Sequence, residues 1–170
     1  MDLLDRLLAH DAWTTRQLLD RCRDLPDDQL DRSFDIGQRT LRATFQHIIV
    51  NMEAWSALMA GATTLPPRPP REGEFISSLA DRLTHAAAGL AHVAHAVRAR
   101  NGWDDRWLDV LDDPPKEKTY GGAIAHVITH SMHHRAQVLF MLRQLGLTDL
   151  PEGDVLSWEQ PTVTRLNPER

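Results

Sequence analysis

The chain has 170 residues, a length that fits one domain with a sizeable core and leaves little room for a second. Hydrophobic residues make up 42% and charged residues 25%, which excludes a disordered or fibrous protein. The formal net charge is −5 and no long run of Lys and Arg occurs. Because nucleic-acid binders carry a clustered basic face, this charge pattern argues against DNA or RNA as the main partner.

Four segments show helical periodicity, and stretches rich in Pro, Gly and Asp separate them. The first helix is predicted from Asp2 to Arg23 and the second from Thr40 to Met59. The third is predicted from Phe75 to Arg100 and the fourth from Tyr120 to Leu145. Residues 103–118 are expected to form a loop, and no segment has the pattern of a strand-rich region.

These long helices and long loops predict an all-α fold, a four-helix bundle with long connections. The loops are longer than tight antiparallel turns require, so the topology is not restricted to simple up-down-up-down. We expect residues 1–146 to form the bundle. We expect residues 147–170 to form a C-terminal tail that packs on it.

The single cysteine and the first residues indicate the compartment. Cys22 has no partner for an intramolecular disulfide, which fits a reducing environment. Acidic Asp2 and Asp5 stand where a signal peptide carries basic residues. No run of roughly 18 apolar residues occurs, so we expect neither a spanning helix nor a membrane partner. A soluble cytoplasmic protein is the expectation.

The fourth helix carries an unusual cluster of histidines. A helix turns by about 100° per residue, which places His134 about 40° from His130, in the middle of an otherwise apolar stripe. His126 and His133 flank that stripe. Two imidazoles at positions i and i+4 on an inward face can present two nitrogens to one metal ion. A pair at this spacing also occurs by chance and is more often structural, so the pair alone leaves both interpretations open.

A third candidate ligand lies on the second helix. His47 lies at the border of the apolar face, beside Thr44 and Asn51, which suits a ligand that lines an interior cleft. A lone histidine there is otherwise a core residue with satisfied hydrogen bonds. Three histidines without a fourth protein ligand leave coordination positions open, as catalytic sites do. The sequence contains neither the Glu-x-x-His of di-iron bundles nor the His-Glu-x-x-His of zincin proteases.

At these residues the chain resembles the DinB/YfiT-like family. The resemblance begins with His10-Asp11-Ala12-Trp13, continues with His47, is strongest from His126 to Leu139, and ends at Leu142–Gly146. It therefore covers nearly the whole chain. It implies a four-helix bundle with long crossovers that often forms a homodimer.

The resemblance also implies a site and a class of reaction. One divalent ion, zinc, nickel or a similar metal, is held by His47, His130 and His134. Some relatives are thiol-dependent transferases or isomerases that use bacillithiol, mycothiol or glutathione, whereas many have no established activity. The leading hypothesis is a metal-dependent enzyme, a transferase or hydrolase, that activates a low-molecular-weight thiol or water toward a small electrophile. The alternative is a non-catalytic stress-response bundle with a structural metal.

Other features of the fourth helix bear on assembly. His133 and Arg135 lie off the histidine stripe, which favours helix-surface or dimer contacts. A second apolar face is typical of a helix that is deeply buried or packs on a partner subunit. We therefore expect a homodimer. That face consists of Ile124, Ile128, Leu139 and Leu142.

Overall fold

The structure is a computed structural model that describes residues 1–64, 73–110, 112–151 and 153–159. Its four long helices are α1 (Leu3–Arg21), α3 (Leu41–Met59), α4 (Ile76–Ala99) and α5 (Tyr120–Gln144). Two short helices are α2 (Asp27–Leu30) and α6 (Val155–Glu159), and two short strands are β1 (Arg106–Asp109) and β2 (Lys116–Thr119). The predicted all-α class is confirmed. Within the described residues, every helix is too short or too polar to span a lipid bilayer.

Side-chain caps determine where three of the long helices begin. The Asp2 carboxylate accepts from the backbone N–H of Asp5 at 2.9 Å, and the Thr40 hydroxyl accepts from that of Ala43 at 3.1 Å. Thr119 caps α5 in the same way. Such caps satisfy N–H groups that have no partner inside the helix. The four long helices accordingly begin and end within about two residues of their predicted bounds.

The long helices pack as a ring whose order differs from their order in the chain. Helix α1 contacts α4 and α5, and α3 contacts the same two helices. Helices α1 and α3, which are consecutive long helices in the chain, therefore lie across the ring from each other. This arrangement requires long connections, as predicted. The core between the helices is filled by fully buried side chains from each of them, among them Leu18, Phe45, Leu83 and Met141.

The prediction of a loop over residues 103–118 is wrong, because β1 and β2 pair there as an antiparallel hairpin. Trp107 faces inward opposite Lys118, and Asp109 is also buried. A half-buried strand normally shows alternating apolar residues. Here one inward position is an aspartate that pairs with a lysine, and each strand has only four residues. The alternation that identifies a strand is therefore too short and too polar to recognise.

The described part of the predicted tail lies against α1. The His10 Nε2–H donates to the carbonyl of Gly153 at 2.9 Å, and the ring of Trp158 meets the His10 ring edge-on with centroids 6.0 Å apart. Arg6 and Glu159 form an ion pair beside them. Residues 160–170 of the predicted tail lie outside the described residues.

The second apolar face of α5 packs largely within the chain itself. Ile124 and Leu142 are buried, and Ile128 and Leu139 are half-buried against the core. The large apolar side chains that α5 leaves exposed are instead Met132 at 58% and Phe140 at 42%. An argument for a homodimer therefore rests on these two residues rather than on the stripe from which it was predicted.

Candidate metal centre

The three predicted ligands come together between α3 and α5. His47 Nε2 lies 3.1 Å from His130 Nε2, and His134 Nε2 lies 3.2 Å from the same atom. The potential ligand atoms of the three residues all lie within 4.8 Å of one another. One turn of α5 places His130 and His134 on the same face, and the contact between α3 and α5 brings His47 to them.

The spacing of these nitrogens matches that of ligands to one ion. Two nitrogens bound to a tetrahedral zinc at about 2.0–2.1 Å lie about 3.3–3.4 Å apart. The observed separations of 3.1 and 3.2 Å are close to that value. Among the described residues, no fourth His, Cys, Asp or Glu belongs to the cluster. The protein thus offers three neutral nitrogen donors and leaves further coordination positions open.

With only their own protons, three neutral imidazoles in this arrangement leave at least one ring nitrogen without a hydrogen-bond partner. His134 donates from Nδ1 to Gln137, so its Nε2 carries a lone pair that faces Nε2 of His130. If His130 keeps its proton on Nε2, its Nδ1 is a buried acceptor that no described group pairs with. If the proton is on Nδ1, two lone pairs face each other. A cation shared by the three Nε2 atoms removes this conflict, so the residues present fit a metal ion.

Burial keeps the three imidazoles neutral. Loss of hydration is the largest cause that lowers the pKa of His130 to about 4, and the neighbouring His134 and His47 rings contribute to the same shift. Burial is also the largest cause that lowers the pKa of His47 and the pKa of His134. For His134, the hydrogen bond to Gln137 acts in the opposite direction. Because only neutral imidazole binds a metal, the site is prepared for an ion near neutral pH.

Gln137 orients His134, and sequence reasoning missed it. Its Oε1 accepts from His134 Nδ1 at 2.8 Å, which directs the Nε2 lone pair into the cluster. Its Nε2–H donates to the exposed His133 at 2.9 Å. A signal existed, because Gln137 lies about 20° from His130 around the helix and is polar within an apolar stripe. Gly37 packs directly against this carboxamide from the loop before α3, and no sequence pattern indicates that contact.

The prediction that Arg135 lies at the helix surface or in a dimer contact is wrong. Its side chain is 5% exposed and forms an ion pair with Asp11 of α1, whose side chain is 2% exposed. The guanidinium also donates to the Thr15 hydroxyl at 3.2 Å. Burial raises the pKa of Asp11, and Arg135 opposes that rise. The pair ties α1 to α5 at the residue next to His134.

A pocket of about 350 Å³ lies beside the triad. The exposed His126 connects the two, since its ring lies 5.4 Å from that of His130 and 5.0 Å from that of Trp55. Sequence reasoning left the role of His126 open and did not identify the pocket, because the hairpin that supplies Lys118 was predicted to be a loop. The pocket is lined by Trp55, Lys118, Thr119, Gly122, Ala123 and His126.

The fold and the cluster define a class: a helical protein with a candidate mononuclear metal centre of three histidines drawn from two helices. A family model described as DinB family matches residues 1–165. The chain therefore belongs to the DinB family, which confirms the resemblance seen in the sequence. None of the curated proteins compared with the chain matches it.

Proposed function

We propose that this DinB-family protein is a metal-dependent enzyme. One divalent ion, zinc or nickel, is held by Nε2 of His47, His130 and His134. The observation that carries the proposal is the group of three nitrogens at ligand spacing, which no fourth described ligand completes. Catalytic metal sites keep such open positions, whereas structural sites are closed by protein ligands. When bound, the ion supplies positive charge that lowers the pKa of a coordinated thiol or water.

The residues of the chain hold and orient the donors for this chemistry. The carboxamide of Gln137 fixes the tautomer of His134 through the bond to Nδ1. The α5 backbone holds His130 one turn away, and burial keeps the rings unprotonated. The proposed co-substrate is a low-molecular-weight thiol, with water as the second choice, and the acceptor is a small electrophile. A thiol co-substrate suits the reducing cytoplasm, where we propose that the protein works.

Metal content tests the first half of the proposal. Protein freed of any affinity tag is expected to carry about one divalent ion per chain by elemental analysis. His130→Ala should lose the ion. His92→Ala is the matched control, because His92 is exposed on α4 and has no part in the cluster. Equal loss in both variants, or metal-free wild type after incubation with zinc and with nickel, would contradict the proposed site.

Activity tests the second half. Bacillithiol, mycothiol and glutathione are each offered with a chromogenic chloronitrobenzene, and a nitrophenyl ester tests hydrolysis. We expect turnover that requires the ion and disappears in His47→Ala while the helical circular dichroism is kept. The alternative function, a stress-response bundle with a structural metal, predicts a different result. In that case removal of the ion lowers the melting temperature, and no thiol or ester is turned over by the loaded protein.

A further inference from the structure

The pocket beside the triad has a wall formed by an indole ring. Trp55 lies two turns after His47 on α3, so the same face of the helix serves both the triad and the pocket. Trp107 meets the Trp55 ring edge-on at 5.8 Å and supports it from the hairpin. The imidazole of His126 lies on the opposite helix, 5.0 Å from the indole. These contacts present flat ring surfaces to whatever enters.

Among the described residues that line the pocket, the only cation, Lys118, is already paired. Lys118 Nζ lies 2.5 Å from a carboxylate oxygen of the buried Asp109 and 3.1 Å from one of Asp112. It also lies 5.0 Å from the centre of the Trp55 ring. The hydrogen bond that Lys118 donates to Asp109 is the largest cause that raises the pKa of Lys118. Its charge is therefore fixed and compensated by carboxylates, and little of it is left to attract an anion.

The first three backbone N–H groups of α5, at the end of the helix that lines the pocket, already have partners. Backbone N–H groups at a helix start often bind anions. Here the N–H of Tyr120 donates to the carbonyl of Asp105, and that of Gly121 donates to the carbonyl of Trp103. The N–H of Gly122 donates to the hydroxyl of Thr119. The protein itself therefore satisfies three N–H groups that could otherwise hold a carboxylate or a phosphate.

We propose that this pocket binds an uncharged, planar, largely apolar group, and that this group is the body of the small electrophile. The inference rests on the proposed function, because it supposes that the reaction takes place at the neighbouring triad. A cation is disfavoured because the Lys118 ammonium already lies against the Trp55 ring, the aromatic face on which a second cation would bind. A volume of about 350 Å³ suits one substituted ring, since a cavity of about 150 Å³ already holds benzene.

Three isosteric probes that differ in charge test the proposal: benzamide, benzoate and benzamidine. Binding of each is measured by saturation-transfer NMR and calorimetry on the full chain, with zinc and after chelation, because benzoate can also ligate zinc. We expect benzamide to bind at least tenfold more tightly than either ion in the chelated protein. Trp55→Ala and the exposed-site variant His126→Ala should each weaken benzamide at least tenfold. Trp158→Ala, on α6, is the matched control and should not.

The outcomes separate this inference from the proposed function. Benzoate or benzamidine binding the chelated protein as tightly as benzamide would overturn the pocket proposal. So would an absence of benzamide binding at millimolar concentration, or binding that both pocket variants leave unchanged. Protein that takes up neither zinc nor nickel but binds benzamide in the expected order would overturn the metal site and leave the pocket proposal standing. If Trp55→Ala does not fold, benzamide binding by His126→Ala alone tests the pocket, because His126 is exposed and its replacement should not disturb the core.

Discussion

We expect Gly37→Ala to weaken metal binding by the α5 histidines, although Gly37 lies in a loop almost a hundred residues before them. Gly37 has a φ of +45°, and a Cβ there would overlap Oε1 of Gln137 and lie 2.6 Å from its Cδ. The carboxamide would have to move away. Its bond from His134 Nδ1, now 2.8 Å long, would then be lost. We expect His134 to lose the fixed orientation that directs Nε2 into the cluster.

Gly37→Ala should lower both the metal affinity and the folding stability, each by its own amount. Removing the partner of a metal-binding histidine typically lowers metal affinity about 10–100-fold, or about 1.4–2.7 kcal/mol. An alanine held at positive φ costs about 1–2 kcal/mol of folding stability. Gly61→Ala shares only the second effect, because Gly61 has a φ of +95° and no described atom lies within 4 Å of its added Cβ. Both variants should lose stability, and only Gly37→Ala should lose affinity.

Zinc affinity is measured by competition with a fluorescent chelator, and stability by urea unfolding of the metal-free protein. Gln137→Ala should lower the affinity by the same factor as Gly37→Ala. Combining the two changes should add little further loss, because the carboxamide that the Cβ displaces is already absent. If Gly37→Ala binds zinc within about threefold of wild type while losing as much stability as Gly61→Ala, the orienting role of Gln137 is refuted.

Three further predictions concern reactivity, acid and assembly. Burial raises the pKa of the Cys22 thiol to about 12, so a thiol reagent should label it only in denaturant, and Cys22→Ser should leave any activity intact. The pKa of His130 is lowered to about 4 in the folded chain from its ordinary value of 6.5. Between these pH values the unfolded chain therefore binds more protons than the folded chain. Metal-free protein should lose stability as pH falls through that range, and His130→Ala should lose less. Finally, light scattering should show that the 19.3 kDa chain forms a dimer. The double variant Met132→Glu with Phe140→Glu should be monomeric. A monomeric wild type at micromolar concentration would contradict this prediction.

The sequence predicts what depends on local geometry. Helical periodicity and caps predict the four long helices because both act within a few residues. The angle between His130 and His134 follows from the turn of a single helix. To predict that His47 lies beside them, one must also know that α3 packs against α5. Because the predicted second helix contains a single histidine, His47 is the only histidine that this helix can bring to the site.

The sequence does not predict what depends on packing between distant segments. The ion pair between Asp11 and Arg135 joins residues 124 positions apart, and neither helix pattern indicates which buried charge meets which. The contact of Gly37 with Gln137 likewise depends on where the loop before α3 lies. The pocket depends on a hairpin whose inward positions are too polar to be recognised. The three candidate ligands could therefore be chosen from the sequence, whereas the groups that contact them and shape the neighbouring pocket could not.

The pair of Asp11 and Arg135 should stabilise the fold without setting metal affinity. Arg135→Met leaves a buried carboxylate without its cation, a change that typically costs about 3–5 kcal/mol. Burial raises the pKa of Asp11 above its unfolded value, and more so without Arg135. The stability deficit of the single variant relative to wild type should therefore be smallest at low pH, where Asp11 is protonated in both states, and should grow as pH rises toward that folded pKa. Asp11→Leu with Arg135→Met removes both charges and should recover much of the loss in urea unfolding at pH 7. Zinc affinity of the folded double variant should equal that of wild type; a tenfold loss would show that α1 positions His134 through this pair.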